Sequence, residues 1–254
     1  MISVVVPLKG EAFPGEPFLS RVLSGAGEIL VAAEEGLPLP VREAWERAGA
    51  LLLASAAPRG ERLSRTASLA RGEVLLFLHS DTLLPRGWGD AVGQSVAAGA
   101  VGGAFRLAFD GGGRRMAIVA AAANLRTAIT RVPYGDQAPF VRRDVYARLG
   151  GHAPWPLLED VDLFRRLRRE GRIALLRDPV LTSPRRYLAR GALRTVLGNR
   201  WILLRWRLGA SPSLLAVEYG RGRTGRPGTG IPPGGGGTGG ESSVRPERKE
   251  SPWE

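Results

Sequence analysis

Four short apolar runs, separated by segments with helical spacing, are the sequence feature that most restricts the fold. The runs are residues 2–6 (ISVVV), 28–33 (EILVAA), 50–55 (ALLLAS) and 73–79 (EVLLFLH). The segments between them, residues 17–23, 41–48 and 59–71, carry apolar side chains at the period of a helix. Alternation of this kind predicts βαβ units and a mostly parallel sheet covered by helices. We therefore expect an α/β fold whose residues 1–100 form a nucleotide-binding half.

Residues 101–190, which follow this half in the same domain, depart from the regular alternation. Residues 102–110 (GGAFRLAFD) alternate in polarity, which predicts a half-buried strand at the margin of the sheet. Further elements are predicted from apolar spacing and from glycine stop signals. They are helices at 114–129, 143–149 and 160–170, and strands at 137–143 and 172–177.

Composition sets the limits of the domain and of its metal chemistry. We expect one domain over residues 1–219, followed by a disordered Gly- and Pro-rich tail at 220–254. The chain has no cysteine and two histidines, so any metal should be a hard cation held by oxygen. No signal peptide or spanning segment is apparent. We expect a cytoplasmic protein, either soluble or peripheral at the inner face of the membrane.

The net charge of +12 comes almost entirely from arginine, since only Lys9 and Lys249 are lysines. Arginine suits nucleic acid, anionic lipid head groups and nucleotide diphosphates, although an arginine-biased genome explains the composition equally well. Residues 191–209 combine arginines with apolar residues at three- and four-residue steps, which predicts an amphipathic helix. Packing of this helix on the domain is favoured over contact with a membrane surface.

Three acidic positions are candidates for chemistry. Asp81 ends the apolar run that continues into His79-Ser80, Asp136 lies in the turn Tyr134-Gly135-Asp136-Gln137, and Asp160 follows Glu159 at a predicted helix start. Each could be a turn or capping residue for purely local reasons. In open α/β sheets, however, ligands bind outside the carboxyl ends of the strands. A carboxylate there can hold a divalent metal on a diphosphate, and a second can accept a proton from a hydroxyl.

The order of these motifs resembles a family 2 glycosyltransferase with the GT-A fold. The match runs over about residues 1–210 through ISVVVP, ARGEVLLFLHSDTLLPRGW, PYGDQAPFVRRDVYARLGGH, PLLEDVDLFRRLRREGRIALL and TSPRRY. More narrowly, it resembles the bacterial subgroup in which histidine replaces the first aspartate of the Asp-x-Asp metal motif. The resemblance implies an inverting transferase with a nucleotide-diphosphate sugar donor and a divalent metal, Mg²⁺ or Mn²⁺.

The resemblance also implies that residues 101–190 form the acceptor-binding and catalytic half of the domain, and it implies roles for individual residues. Asp81 matches the metal-binding aspartate, His79 lies near the nucleotide ribose, and Asp160 matches the catalytic base, which Glu159 orients. The remaining matches are substrate-binding. They are Pro7 and Glu11 in the first nucleotide loop, Asp136 and Gln137 in the acceptor-side turn, and Arg185 and Arg186 near the diphosphate.

One loop departs from the family pattern. Residues 31–40 (VAAEEGLPLP) lack the aspartate-led, glycine- and serine-rich loop that contacts the nucleobase, so Glu34 or Glu35 would have to substitute. The helix at 59–71 carries Arg59, Arg62 and Arg65 in place of polar Gln and Asn, and we expect two of the three to face water.

We therefore expect metal-assisted sugar transfer to an acceptor hydroxyl, and a lipid-linked acceptor is one candidate. The alternatives are a catalytically decayed GT-A-like binding protein and an arginine-rich binder of membrane surfaces or nucleic acid. The latter lacks a recognisable nucleic-acid motif, so no specific nucleic acid is expected. A nucleotidyltransferase would require a glycine-rich phosphate loop after the first strand, and LKGEAFPGEP is a poor candidate for one.

Overall fold

A computed structural model describes residues 1–221. Eight strands form one sheet: β1 (Ile2–Leu8), β2 (Glu28–Glu34), β3 (Leu51–Ser55), β4 (Val74–Phe77), β5 (Thr82–Leu83), β6 (Ala100–Phe109), β7 (Phe140–Arg142) and β8 (Arg172–Thr182). The helices are α1 (Glu16–Leu23), α2 (Leu39–Arg47), α3 (Arg59–Ala67), α4 (Trp88–Ala97), α5 (Gly113–Thr130), α6 (Arg143–Arg148), α7 (Glu159–Leu167), α8 (Arg185–Arg190), α9 (Ala192–Arg207) and α10 (Pro212–Arg221). Among these, the sequence did not predict β5, α4, α8 or α10.

The parallel half of the sheet is confirmed. The strand order is β3-β2-β1-β4-β7-β6-β8-β5, and β3, β2, β1 and β4 are mutually parallel. Strand β7 runs antiparallel between β4 and β6, while β6 and β8 are parallel. Because β1, β4, β6 and β8 point the same way, their carboxyl ends meet at one edge of the sheet.

Strand β6 lies inside the sheet, so the expected position at its margin was wrong. It pairs with β7 on one side and with β8 on the other. Residues 100–105 are buried on both faces, and Arg106 is the exposed residue of the alternation. The close packing depends on small residues, since a side chain at Gly103 would place its Cβ 2.5 Å from the ring of Phe140. An alternating pattern built from Gly and Ala therefore marked tight packing here and not a solvated face.

The core occupies both faces of the sheet. One cluster surrounds Phe18, Trp45 and Trp88, and the other surrounds Phe77 and Phe164. Within residues 1–221, no helix is both long enough and apolar enough to span a bilayer. The predicted disordered tail lies outside the described residues, except that residues 220 and 221 complete α10.

Helix α9 confirms the predicted helix at 191–209, but most of its apolar residues do not pack on the domain as expected. Five of them are exposed: Leu193, Leu197, Trp201, Leu204 and Leu208. The helix is held instead through Thr195, Ile202 and Trp206, which lie on a different face. The Trp206 ring lies edge-on to Trp155 at 6.0 Å, and the Arg165 guanidinium lies 4.9 Å from its centroid.

Candidate functional site

The segment His79-Ser80-Asp81 leaves the sheet at the carboxyl end of β4, where it joins the end of β8. The Asp81 carbonyl accepts a hydrogen bond from the Ser183 amide at 3.1 Å, and the hydroxyls of Thr82 and Thr182 lie 2.9 Å apart. These contacts fix the backbone on either side of Asp81. The Asp81 residue itself is exposed at the rim of the sheet. Arg185 and Arg186 begin α8 two residues after Ser183, so this arginine pair lies close along the chain to the Asp81 contact.

Arg59 connects two of the predicted site residues and was not among the site residues predicted from the sequence. Its guanidinium forms an ion pair with the carboxylate of Glu159, and its Nη2 lies 2.8 Å from Nε2 of His79. Because a guanidinium can only donate, Nε2 must accept this hydrogen bond. The imidazole is therefore neutral and carries its proton on Nδ1, which leaves Nδ1 as the donor of the ring.

Glu159 is buried at the start of α7, with a side chain that is 1% exposed. Among the described residues, its Oε2 has no hydrogen-bond partner, so the ion pair with Arg59 is the main compensation for burying this charge. The ion pair also ties the first residue of α3 to the first residue of α7. Glu159 therefore acts in this structure as an anchor for the chain on which Asp160 lies.

Asp160 lies beside His79 and is oriented by backbone amides. Its Oδ2 accepts a hydrogen bond from the Gly135 amide at 2.6 Å, and its Oδ1 accepts one from its neighbour Val161 at 2.7 Å. A Cβ at position 135 would lie 2.8 Å from His79 Nε2 and 3.4 Å from Asp160 Oδ2. Gly135 thus allows the imidazole and the carboxylate to converge on the turn that contains Asp136. The carboxylate of Asp160 is therefore held in a fixed orientation near the His79 imidazole.

Backbone strain accompanies these positions. Leu158, the residue before Glu159, has φ of +66°, and Ala138, after Gln137, has φ of +42°. Non-glycine residues rarely adopt this left-handed region, and such strain concentrates where function fixes the backbone. Both outliers border the segments that carry the acidic motifs.

The turn at 135–137 presents its two predicted residues differently. Asp136 is half-buried. Gln137 is fully buried; its Oε1 accepts from Thr127 at 2.7 Å and its Nε2 donates to the Phe105 carbonyl at 3.2 Å. The Gln137 amide therefore anchors the turn to α5 and β6. Its role in contacting a substrate stays a prediction, and the geometry favours support of the turn.

The predicted nucleotide-side residues lie at the ends of β1 and β2. Pro7 is within β1, and the carboxylate of the exposed Glu11 accepts a hydrogen bond from the Lys9 amide. Glu34 ends β2, 3.6 Å from Lys9 Nζ and 3.8 Å from Nη1 of Arg62. Arg62 is buried and Arg65 is exposed, so one of the three α3 arginines faces water and not two as expected.

The second histidine, His152, is buried next to α3. His152 packs edge-on against Phe77 at 4.6 Å, and its Nδ1 is 2.8 Å from the Tyr146 hydroxyl. Burial, with the positive charges of Arg59 and Arg166, lowers the pKa of His152 to about 3. Burial likewise raises the pKa of Tyr146 to about 12. Both groups are therefore neutral over the whole physiological range and serve as packing between α3 and the 143–152 segment.

The carboxylate of Asp81 is a suitable ligand for a hard metal ion, although it is a single one. Within residues 1–221, no group of three or more His, Asp or Glu side chains could hold a metal ion by itself. A single rim carboxylate such as Asp81 fits a hard cation that takes its remaining ligands from water and a diphosphate. His79 Nε2 is engaged by Arg59, so Asp81 is the residue of the His-Ser-Asp segment that fits the cation.

No family model and no curated protein matches the sequence. Solved structures do match the fold, which is that of the GT-A type of nucleotide-sugar transferase. One is the mannosyltransferase PcManGT of Pyrobaculum calidifontis in complex with GDP-Man and Mn²⁺, at 17% identity and a TM-score of 0.58, covering 87% of this chain and 68% of that one. Another is S. aureus TarS 1–349 in complex with UDP, at 15% identity and a TM-score of 0.52 over 72% of this chain. The chain spans 60% of the length of that TarS structure.

Proposed function

We propose that the protein is a glycosyltransferase that moves a sugar from a nucleotide-diphosphate donor to an acceptor hydroxyl. The observation that carries the proposal is the convergence of Asp160, His79 and Gly135 at the carboxyl end of β4, beside the rim carboxylate Asp81. This convergence occurs in a fold shared with solved structures that hold UDP or GDP-Man.

Asp160 would act as the general base. The Gly135 and Val161 amides each occupy part of one carboxylate oxygen and fix the plane of the group. The remaining lone pairs can accept the proton of the acceptor hydroxyl. As that proton moves to Asp160, the acceptor oxygen bonds to the anomeric carbon, and the bond from this carbon to the diphosphate oxygen breaks. A single displacement of this kind inverts the configuration at the anomeric carbon.

The other residues would hold the donor. Asp81 would bind the divalent metal, Mg²⁺ or Mn²⁺, which neutralises charge on the leaving diphosphate when it is bound. Arg185 and Arg186 would approach the same diphosphate, since their segment is joined to Asp81 through Ser183. His79 would donate from Nδ1 to the ribose. Pro7 and Glu11 would border the nucleotide, and Asp136 would border the acceptor.

The test is a thermal-shift panel of UDP-, GDP-, dTDP- and CDP-sugars with and without Mn²⁺. A ligand that binds only the folded protein raises its apparent stability by mass action. We expect one nucleotide class to stabilise the native protein in the presence of Mn²⁺, and Asp81→Ala to abolish that shift. Asp160→Asn should keep the shift but lose turnover, measured as release of nucleoside diphosphate, because the carboxylate acts only in the chemical step.

The matched control is Asp90→Asn, which changes an exposed carboxylate in the first turn of α4. It should behave as the native protein in both assays. If no sugar nucleotide raises the melting temperature of the folded protein, the result would contradict the proposal and favour the non-catalytic alternative. Loss of donor binding in Asp160→Asn would instead remove Asp160 from the role of base.

A further inference from the structure

The outer stripe of α9 is an apolar surface that the fold leaves uncovered among the described residues. We use this name for Leu193, Leu197, Trp201 and Leu204 of α9 together with Leu208, which directly follows its last residue. At roughly 100° per residue, these positions fall within an arc of about 80°. Trp201 is 59% exposed and Leu208 is 78% exposed. Exposed apolar side chains are ordinary when scattered, but five on one helix face mark an interaction surface.

The internal packing of α9 does not account for this stripe. The buried residues Thr195 and Ile202, together with Trp206, lie on the opposite face of the helix, and α9 contacts α5, α8 and α10. A helix that only needed to pack on the domain would carry its large apolar residues on that inner face. Here the inner face does carry Ile202 and Trp206, but four leucines and Trp201 point away from it.

Arginines border the stripe on both sides. Arg200 and Arg207 lie along one edge and Arg194 along the other, and all three are exposed. Arg205 is the α9 arginine that pairs with a carboxylate, that of Glu218. In the sequence, residues 179–217 contain seven arginines and no acidic residue. The stripe is therefore apolar at its centre and bordered by Arg194, Arg200 and Arg207, while Arg205 is paired with Glu218.

We propose that the outer stripe of α9 docks the protein on a membrane surface that contains anionic lipid. The leucines would enter the boundary between acyl chains and head groups, and Trp201 would lie at head-group depth. Arg194, Arg200 and Arg207 would meet lipid phosphates from both sides of the helix. The charge pattern favours a membrane surface as the partner, because a helix that lies in the membrane–water interface combines one apolar face with cationic flanks.

A second copy of the chain fits the same surface poorly. A symmetric contact through the stripe would bring the arginines of one copy against those of the other. Residues 179–217 contain no carboxylate to separate these like charges, and Glu218 is already paired with Arg205. Juxtaposed like charges suppress association, so the same pattern that favours anionic lipid disfavours self-association.

Co-sedimentation of the full chain with vesicles tests the proposal without any need for turnover, so its outcome is independent of the proposed function. We expect binding to vesicles of phosphatidylcholine with phosphatidylglycerol, and little binding to phosphatidylcholine alone. Trp201→Glu should abolish sedimentation. The pair Arg200→Ala and Arg207→Ala should weaken partitioning roughly 30-fold, and added salt should weaken it in the native protein.

Leu39→Glu is the matched control, because Leu39 on α2 is 64% exposed and lies outside the stripe. It should sediment as the native protein does. Circular dichroism of each variant separates lost docking from lost folding. Absence of binding, or equal binding to neutral and anionic vesicles, overturns the proposal. Retained binding in Trp201→Glu with loss in the arginine pair would mark a polyanion site and also overturn it. So would a concentration-dependent dimer that Trp201→Glu dissociates.

Discussion

The two sides of the same sheet edge are held together in different ways. On the side that we propose to be catalytic, at the end of β4 and the start of α7, the contacts are a buried ion pair of Glu159 with Arg59, which also reaches His79, and a hydrogen bond from the Gly135 amide to Asp160. On the nucleotide side, at the ends of β1 and β2, Glu34 lies between two cations, Lys9 and Arg62.

This difference bears on the loop that departs from the family 2 pattern in the sequence, residues 31–40. Glu34 was a candidate to replace the missing aspartate of the base-contacting loop, but its carboxylate already interacts with Lys9 and Arg62. The side that we propose to be catalytic holds Glu159 and Asp160 close to His79 and Gly135. If the protein is the transferase that we propose, we therefore infer that its selection of the nucleotide base differs from the family 2 pattern more than its chemical step does.

The largest expected effect is on the catalytic side, from Gly135→Ala. The added Cβ would lie 2.8 Å from His79 Nε2 and would displace the imidazole or Asp160. A misplacement on the order of 1 Å can cost about 100-fold in rate, so nucleoside diphosphate release should fall by about that factor. Gly93→Ala is the control, because a Cβ in that part of α4 meets nothing within 4 Å. Equal activity of the two variants would mean that the convergence at Gly135 is not needed for turnover.

A smaller effect is expected on the nucleotide side, from Arg62→Met. The Arg62 side chain is 7% exposed, donates to the Ala57 carbonyl at 3.0 Å and lies beside Glu34. Methionine keeps much of the hydrocarbon but loses these contacts, so the free energy of unfolding should fall by about 2 kcal/mol in urea denaturation. Arg65→Met, one helical turn along α3 and largely exposed, should change it by less than about 0.5 kcal/mol. Similar losses in both variants would show that the Glu34–Arg62 pair does not stabilise the nucleotide side.

The parallel strands, and the position of Asp81 beyond the end of one of them, were predictable because they depend on local patterns. Apolar runs mark β1 to β4, and the carboxyl end of β4 identifies where Asp81 must lie. The link from Arg59 to Glu159 was not predictable, because it joins residues 100 positions apart and depends on how α3 packs against α7. The nearest signal was the unusual set of arginines in α3, which did not distinguish a buried ion pair from a solvated charge.

Periodicity also left open which face of α9 is buried and where β6 lies in the sheet. The pattern at 191–209 predicted the helix α9 but not which face would be buried, since the aromatic contact of Trp206 with Trp155 orients it. The alternation at 102–110 predicted β6 but not its place, because the glycines that admit Phe140 resemble the small residues of an edge. In both cases the deciding contact comes from another part of the chain.

His152 gives the last and smallest expected effect, and it places a pH dependence on the catalytic side. The pKa of His152 is about 3 in the folded protein and about 6.5 in the unfolded chain. Between these values the unfolded state binds the extra proton, so stability is complete above about pH 6.5 and falls as the pH is lowered. From pH 6.5 to 5.0 the loss should be about 1.5 kcal/mol.

Urea denaturation of the native protein and of His152→Gln at both pH values isolates this contribution, because His79 is present in both. Burial acts to raise the pKa of the Glu28 carboxyl, but hydrogen bonds from Ser3 and from the amides of Arg71 and Gly72 outweigh it and hold that pKa below 4.5. Glu28 therefore titrates below this pH window. Parallel losses in the two proteins would show that His152 is not held neutral, and the catalytic side would then lack the buried support that the comparison assigns to it.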